Sequence, residues 1–383
     1  MKPTDFNHEA PGKVIKTLTG YYAYIPNPLP PTLTWSNRLI SQLATAERSM
    51  ARLEEVGCSF PVPHVVVRPF IRKEAVLSSQ IEGTQTTFQE LLTYEARQLS
   101  LFETMPDRHE VLNYVKALDY GLARIKDLPI SLRLIRELHA ILMKGVRGEL
   151  MTPGEVRRSQ NWIGRPGASL TQARFVPPPV KEMQDNLSDL EKYIHSESDL
   201  PVLIRIGLIH YQFEAIHPFL DGNGRIGRLL ITLLLISWDV LSQPLLYLSL
   251  FIEKNRTEYY DRLLAVSLQG KWEEWLLFFL DGVQEQAEDA VVKIQNLQAL
   301  RLKYQEMFLK DRSREKLLQV VDYLMSTPIS SIVQAQEVTG LGSFSTLQRY
   351  FDKLEALGIL EELTGKSRNR VYRANEILAV LEG

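Results

Sequence analysis

Two apolar helical runs, PVLIRIGLIHYQFEAI at 201–216 and RIGRLLITLLLISW at 225–238, are separated by the polar turn HPFLDGNG at 217–224. How this stretch is read decides the fold, because GNGRIG at 222–227 is literally a Gly-x-Gly-x-x-Gly string. A dinucleotide-binding βαβ unit needs an apolar strand before the glycines and an acidic residue about 20 positions after them. Here a helical pattern precedes them, broken by His217 and Pro218, and the next acid, Asp239, comes too early. No Gly-x-x-x-x-Gly-Lys-Ser/Thr loop occurs in the chain either. The stretch reads as two buried helices joined by a functional turn.

That turn has the makings of an anion site. Gly222, Asn223 and Gly224 can point backbone amides inward at the start of the second helix, where the macrodipole also favours negative charge. Arg225 and Arg228, three apart on its first turn, can reach toward one polyanion. They oppose the macrodipole, which suits a triphosphate better than it suits stability. Asp221 is an oxygen ligand of the type Mg²⁺ takes alongside substrate phosphates. His217 is placed to accept a proton from an attacking hydroxyl. Singly, each residue is ordinary helix punctuation; together they imply chemistry on a nucleotide phosphate.

From His217 to Arg228 the sequence HPFLDGNGRIGR resembles the signature of the Fic family of AMP-transferring enzymes. The resemblance implies that His217 is the general base for a target Ser, Thr or Tyr hydroxyl and Asp221 the Mg²⁺ ligand. It further implies that Gly222, Asn223, Gly224 and Arg225 hold phosphates and that Arg228 engages the γ-phosphate of ATP. A kinase-like branch has lysine where this chain has Gly224, so AMP transfer with release of pyrophosphate is favoured over phosphoryl transfer. Gly154-Glu155-Val156-Arg157 and Gln160-Asn161-Trp162-Ile163-Gly164, followed by Ala173, Arg174, Phe175 and Val176, resemble the family's β-hairpin flap, which pairs with target backbone. Asn255, Tyr259 and Tyr260 resemble its adenine-side segment, although a buried tyrosine pair is equally ordinary helix packing. Ser78-Ser79-Gln80-Ile81-Glu82-Gly83 resembles its inhibitory motif, with Glu82 set against Arg228 in the space the γ-phosphate needs. Ser78 and Glu82 fall four apart on one helix face, and Gly83, read as a helix-interior glycine, suggests a close approach.

Outward from these motifs the chain reads as mainly α-helical. Helical spacing covers 36–56, 71–92, 108–126, 131–144, 180–195, 201–216, 225–238, 256–268 and 271–290, and a charged connector follows at 291–310. Residues 21–35, rich in proline and aromatics, read as extended, and 160–179 as a hairpin or flap. The expected organisation is an N-terminal region at 1–109 carrying the inhibitory helix, a Fic helical core at 110–290, the connector, and a winged helix at 311–383. In that last segment Lys366, Arg368, Arg370 and Arg373 form a basic wing. Its nine Lys and Arg against ten Asp and Glu give −1, unlike the footprint of most DNA binders. Protein contact is therefore favoured over DNA.

Composition sets the outer limits. In 383 residues the formal charge is −2, so no whole-protein attraction to nucleic acid or anionic membrane is expected. One cysteine, Cys58, cannot make an internal disulfide. The most apolar run, Leu229 to Trp238, is far short of the roughly 20 residues a bilayer requires. No secretory pattern opens the chain. These features fit a cytoplasmic enzyme with ATP, target proteins and Mg²⁺ as its partners, and family analogy suggests a homodimer. Two other readings stay open: a nucleotide-sensing winged-helix transcription regulator, and transfer of a different phosphate-linked group.

Overall fold

The computed structural model describes residues 2–62, 64–97, 106–146, 151–164, 167, 169–366 and 368–383. The architecture is mainly helical. A small antiparallel hairpin, β1 (Gly12–Lys16) and β2 (Tyr22–Pro26), with Gly12 opposite Pro26, precedes α1 (Asn37–Ser59), α2 (His64–Ile81) and α3 (Phe88–Ala96). Next come α4 (Pro106–Arg124), α5 (Leu132–Leu142), α6 (Val180–His195), α7 (Val202–Ile216) and α8 (Asn223–Ser237). The series continues with α9 (Ser249–Lys254), α10 (Arg256–Gln269) and α11 (Trp272–Met307).

Helices α7 and α8 are the apolar runs on either side of the turn, and they are buried on nearly every face, from Leu203 to Ile216 and from Asn223 to Leu235. A helix apolar all round belongs in the middle of a core. Amphipathic helices surround them. In α1, capped by Ser36 Oγ accepting from the Leu39 N–H, the stripe Leu39, Leu43, Ala46, Met50 and Leu53 is buried. Each such leucine contributes about 1.5–3 kcal/mol by leaving water. The core thus holds the turn between two immobile helices.

Several elements differ from the sequence reading. The helix expected over 71–92 is two helices, because Gly83 has φ +102° and Thr87 starts α3 with a capping box shared with Glu90. Gly83 is therefore a helix-ending residue and not a helix-interior one. The helix at 271–290 and the connector at 291–310 are one 36-residue helix, α11, about 54 Å long. No glycine or proline lies between Val283 and Met307, and Ala287, Ala290, Val291, Ile294 and Leu297 continue the buried stripe. Among the described residues the flap at 160–179 has one antiparallel bridge, Ile163 to Phe175, and residues 165, 166 and 168 of that loop lie outside them. Helix α9 and the strand β1 have no counterpart in the sequence reading.

After α11 come α12 (Arg314–Ser326), β3 (Ile329–Ser331), α13 (Ile332–Thr339), α14 (Phe344–Ala356), β4 (Glu361–Glu362), β5 (Val371–Arg373) and α15 (Asn375–Glu382). The three strands form an antiparallel sheet in the order β3-β5-β4. Helix α12 packs on α2 and α11, and β3 packs on α3, so this C-terminal segment shares one continuous apolar core with the rest of the chain. Among the described residues no helix is long and apolar enough to cross a membrane.

Candidate active site

Helix α7 ends at His217, whose left-handed backbone (φ +50°) turns the chain sharply before Pro218. A non-glycine residue in this region is uncommon and must be held there. The His217 carbonyl accepts from Arg157 Nε at 3.0 Å and Asn161 Nδ2 at 3.2 Å, while the Arg157 N–H donates to Pro218 at 2.9 Å. The histidine ring places Nδ1 at 3.3 Å from the Glu214 carbonyl. A carbonyl only accepts, so Nδ1 carries the proton and Nε2 keeps its lone pair. Burial pushes the His217 pKa down to about 4, with Arg157 adding to the effect, so the ring is neutral near pH 7. It is a base ready to take a proton.

Below the turn, Phe219 is fully buried and stacks on His139, with centroids 3.8 Å apart and planes 6° apart. His139 accepts from the Gly154 N–H at 2.8 Å through Nδ1 and so donates from Nε2 to the Asp221 carbonyl at 3.0 Å. Asn223 closes the turn in both directions: its Oδ1 accepts from the Phe219 N–H and its Nδ2 donates to the Phe219 carbonyl, each at 2.8 Å. Its side chain is thus spent on the turn, and only its backbone remains for an anion. Gly222, at φ +78°, begins α8, and a Cβ there would press on Met143 Sδ at 2.9 Å. Glycine is required at that position for both backbone and space.

The two arginines separate. Arg225 is 3% exposed and lies between Glu110 at 3.3 Å and the turn's own Asp221 at 3.8 Å, with Met143 Sδ at 3.6 Å. Its charge is thus shared by the buried Glu110 and by Asp221 of the turn, while Arg228 faces Glu82. Arg228 is 2% exposed and lies against the other end of the N-terminal region. Its Nε donates to Ser78 Oγ at 2.8 Å, and its Nη2 donates to the Ser78 carbonyl at 2.9 Å and to Glu82 Oε1 at 2.7 Å. Burial alone would raise the Glu82 pKa, but the Arg228 charge and hydrogen bond bring it below the usual carboxylate value, with Arg225 and His217 helping. Arg228 is correspondingly held protonated.

The position of that carboxylate is the main feature of the site. A Cβ on Gly224 would run into Glu82 Oε1, so the acid rests directly over the first turn of α8. That is where exposed amides and the macrodipole favour an anion. Glu214, one turn before His217 on α7, has its pKa raised to about 7 by burial, against the pull of Arg228. Asp221 is 44% exposed and uses Oδ1 to accept from the Gly222 N–H at 2.7 Å. Among the described residues no three His, Cys, Asp or Glu side chains cluster as a resident metal centre would need. A single accessible carboxylate beside an anion site nevertheless fits a Mg²⁺ that arrives with substrate phosphates.

The remaining candidates are more embedded than the sequence implied. Ala173, Phe175 and Val176 of the flap are buried, and Val176 accepts from the Tyr24 N–H of β2 at 2.9 Å; Arg174 is exposed and pairs with Asp261. Tyr259 is 1% exposed, with its hydroxyl 2.8 Å from His210 Nε2, so it supports the wall from behind and does not line it. Tyr260 is half-buried beside it, and Asn255 donates to the Phe251 carbonyl at 2.9 Å. Glu110, His139 and His210 were not singled out from sequence. Their partners lie 15 to 115 positions away along the chain, and no local pattern marks them.

The sequence is matched by the profile for the Fic/DOC family N-terminal domain over residues 40–123 and by that for the Fic/DOC family over 129–235. Protein adenylyltransferase Fic of Drosophila virilis is 29% identical over 209 residues, and that of Drosophila erecta is 28% identical over 209 residues. Each match covers 54% of this chain and 39% of the relative, so it spans about two-fifths of those proteins' length. In structure, a Fic family protein from Desulfovibrio desulfuricans G20 superposes with a TM-score of 0.60 at 19% identity, covering 90% of this chain and 98% of that one. Fic-1 from C. elegans (residues 134–508) gives 0.53 at 19% identity, covering 69% and 74%. At such identities the likeness is one of fold. With the two domain matches side by side, the chain carries a Fic/DOC family N-terminal domain and a Fic/DOC family domain, and the motif turn is held between α7 and α8 in the second.

Proposed function

We propose that this protein is a protein adenylyltransferase restrained by its own Glu82. The observation that carries the reading is that a neutral histidine and an anion-favouring helix start share one buried turn, with a carboxylate resting where a phosphate would bind. In the reaction, the hydroxyl oxygen of a target Ser, Thr or Tyr attacks the α-phosphorus of ATP and its proton passes to His217 Nε2. The bond from that phosphorus to the bridging oxygen breaks, and its electron pair leaves with pyrophosphate. The first-turn amides of α8 and Arg228 hold the phosphates. Mg²⁺ held by Asp221 and the substrate would neutralise charge on the departing pyrophosphate. The target lies along the flap through backbone pairing, and Tyr260 flanks the adenine.

While Glu82 holds Arg228 it excludes the γ-phosphate from its partner, and the enzyme modifies neither targets nor itself. Purified wild-type and Glu82→Gly proteins, incubated with a cell lysate and ATP labelled in turn at the α- and γ-phosphate, test this. The Glu82→Gly protein should transfer the α-label only. Transfer of the γ-label alone, or of neither, would overturn the assignment.

For the C-terminal segment the helix, strand, helix, helix, strand, strand order supports the winged-helix reading of 311–383. Its basic residues Lys366, Arg368 and Arg370 line a cleft whose other wall is α3, with Tyr94 and Arg97. A wing turned toward the body of its own chain supports a protein-facing role over the DNA-binding regulator.

A further inference from the structure

We infer that the C-terminal segment, by gripping α3, sets whether Glu82 stays on Arg228. This rests on the reading of Glu82 as the restraint. The grip begins with how unevenly the inhibitory region is held. Helix α2 is fixed from within: its buried Glu74 accepts from Tyr114 of α4 at 3.2 Å and from the Ser249 N–H of α9 at 3.1 Å, and Ser249 Oγ also donates to it. Glu82 lies one residue beyond α2, at the head of the short loop that leads into α3. The loop is therefore anchored by α2 only up to Ile81, Glu82 is its first residue, and its far end goes where α3 goes.

Helix α3 is held on one side by α2 and on the other by the C-terminal segment. On the α2 side the buried Arg72 donates twice to Glu95, at 2.7 and 2.8 Å. On the other, β3 packs against it, Gln334 of α13 donates to the Glu95 carbonyl at 2.5 Å, and Gln89 donates to Glu382 of α15 at 2.8 Å. Beside these contacts α3 and the C-terminal elements part into an open cleft of about 970 Å³, bordered by Thr93, Arg97, Phe344 and Gln348. Helix α3 buries Phe88, Leu91, Leu92, Glu95 and Ala96 in the shared core and leaves Thr93 and Arg97 on the cleft, so the polar contacts at its two ends, Gln89 and Glu95, can be loosened without unfolding the core. When the C-terminal segment lets go, α3 and the loop gain freedom, and Glu82 is withdrawn from Arg228.

The experiment loosens the grip with Gln334→Ala and Gln89→Ala together. A second form tightens it by joining Gln89→Cys to Glu382→Cys with a bis-maleimide linker, Cys58 being replaced by serine because it is exposed. Deleting the segment is unsuitable, since it shares the core. Losing two ordinary hydrogen bonds shifts a two-state balance about tenfold. The loosened protein should therefore show faster amide exchange across 82–96 and about tenfold more α-label transfer, and the linked protein less than wild type. In a Glu82→Gly background neither change should alter transfer. Unchanged exchange and unchanged transfer in the loosened protein, with Glu82→Gly active, would overturn this inference alone. An inactive Glu82→Gly protein would instead overturn the adenylyltransferase reading, and amide exchange would still decide whether the C-terminal grip holds the loop.

Discussion

The motif at 217–228, the turn with the start of α8, and the loop after Ile81 meet in one ion pair but are built in opposite ways. Every part of the turn is tied to the core: His217 by Arg157 and Asn161, Phe219 by His139 and Asn223, Asp221 by His139. The loop is held by scattered contacts, among them Gln80 to the Thr86 carbonyl, Thr84 to Glu110 and the Gln85 N–H to Asp107. Exposure follows the same division, since Arg228 is 2% exposed and Glu82 33%. One partner is part of the scaffold and the other can leave. Such a pair has a direction: changes on the turn should remove activity, and changes on the loop should release it.

The largest effect should come from His217→Ala. Losing a positioned general base costs about 10²–10⁴-fold in rate. Because Nε2 acts on the hydroxyl proton, ATP affinity measured by calorimetry in the Glu82→Gly background should stay close to that of the parent. Near-normal label transfer would take His217 out of the mechanism. Asp221→Ala comes next, with a loss of about 10²-fold or more in the same background, since metal charge on the leaving group is worth several kcal/mol. The side chain is exposed, so the melting temperature should barely change. Full turnover at saturating Mg²⁺ would place the metal elsewhere, and Glu214 is the next carboxylate to replace.

The contrast between turn and loop also explains what was legible in the sequence. The turn could be read because its chemistry is contiguous: His217, Asp221, Gly222 and Arg228 sit within twelve residues, and helical periodicity on both sides places them. The alignment of Glu82 with Arg228 could be read from the resemblance, and the two side chains are 2.7 Å apart. What escaped were partners from distant segments. Glu110 pairs with Arg225 from behind the turn, and nothing near either residue announces it. The sequence suggests a role for the Asn223 backbone at an anion site, but not the tie of its side chain to both polar groups of Phe219. Helix ends were obscured as well, because Gly83 costs little in a helix but also permits the left-handed exit that it makes here. The length of α11 was misjudged for the reverse reason: polar residues at 291–310 looked like a linker, although the buried stripe runs on beneath them.

A sharper comparison comes from breaking the pair from each side. Glu82→Gly should raise AMP transfer, including self-modification, whereas Arg228→Ala should lower it about 10–100-fold, the value of a charge-assisted hydrogen bond to a phosphate. If the pair served only stability, removing either partner would strand a charge and weaken the fold in both proteins. Thermal melts on both proteins separate the two cases. Equal loss of activity would sink the inhibitory reading and leave the catalytic one standing.

The smallest effect is in pH. The folded-state pKa of Glu82 is lowered, so its contribution to stability is present above the ordinary glutamate value of about 4.3 and is lost as pH falls through the folded value. Glu82→Gln keeps the shape of the side chain and removes the charge. At pH 7 it should melt on the order of a few degrees below wild type, a small difference because the carboxylate is partly open to water. As the pH falls below the ordinary glutamate value and through the lowered folded one, the two melting temperatures should converge, because wild-type Glu82 is then protonated too. His217, pushed down to about 4 by burial, is raised in part by the Glu82 charge, so the comparison is made with His217→Ala in both proteins. A gap that stays constant from pH 7 to pH 3 would mean that the charge of Glu82 contributes nothing to holding the loop, and the restraint would then have to lie in the packing of α3.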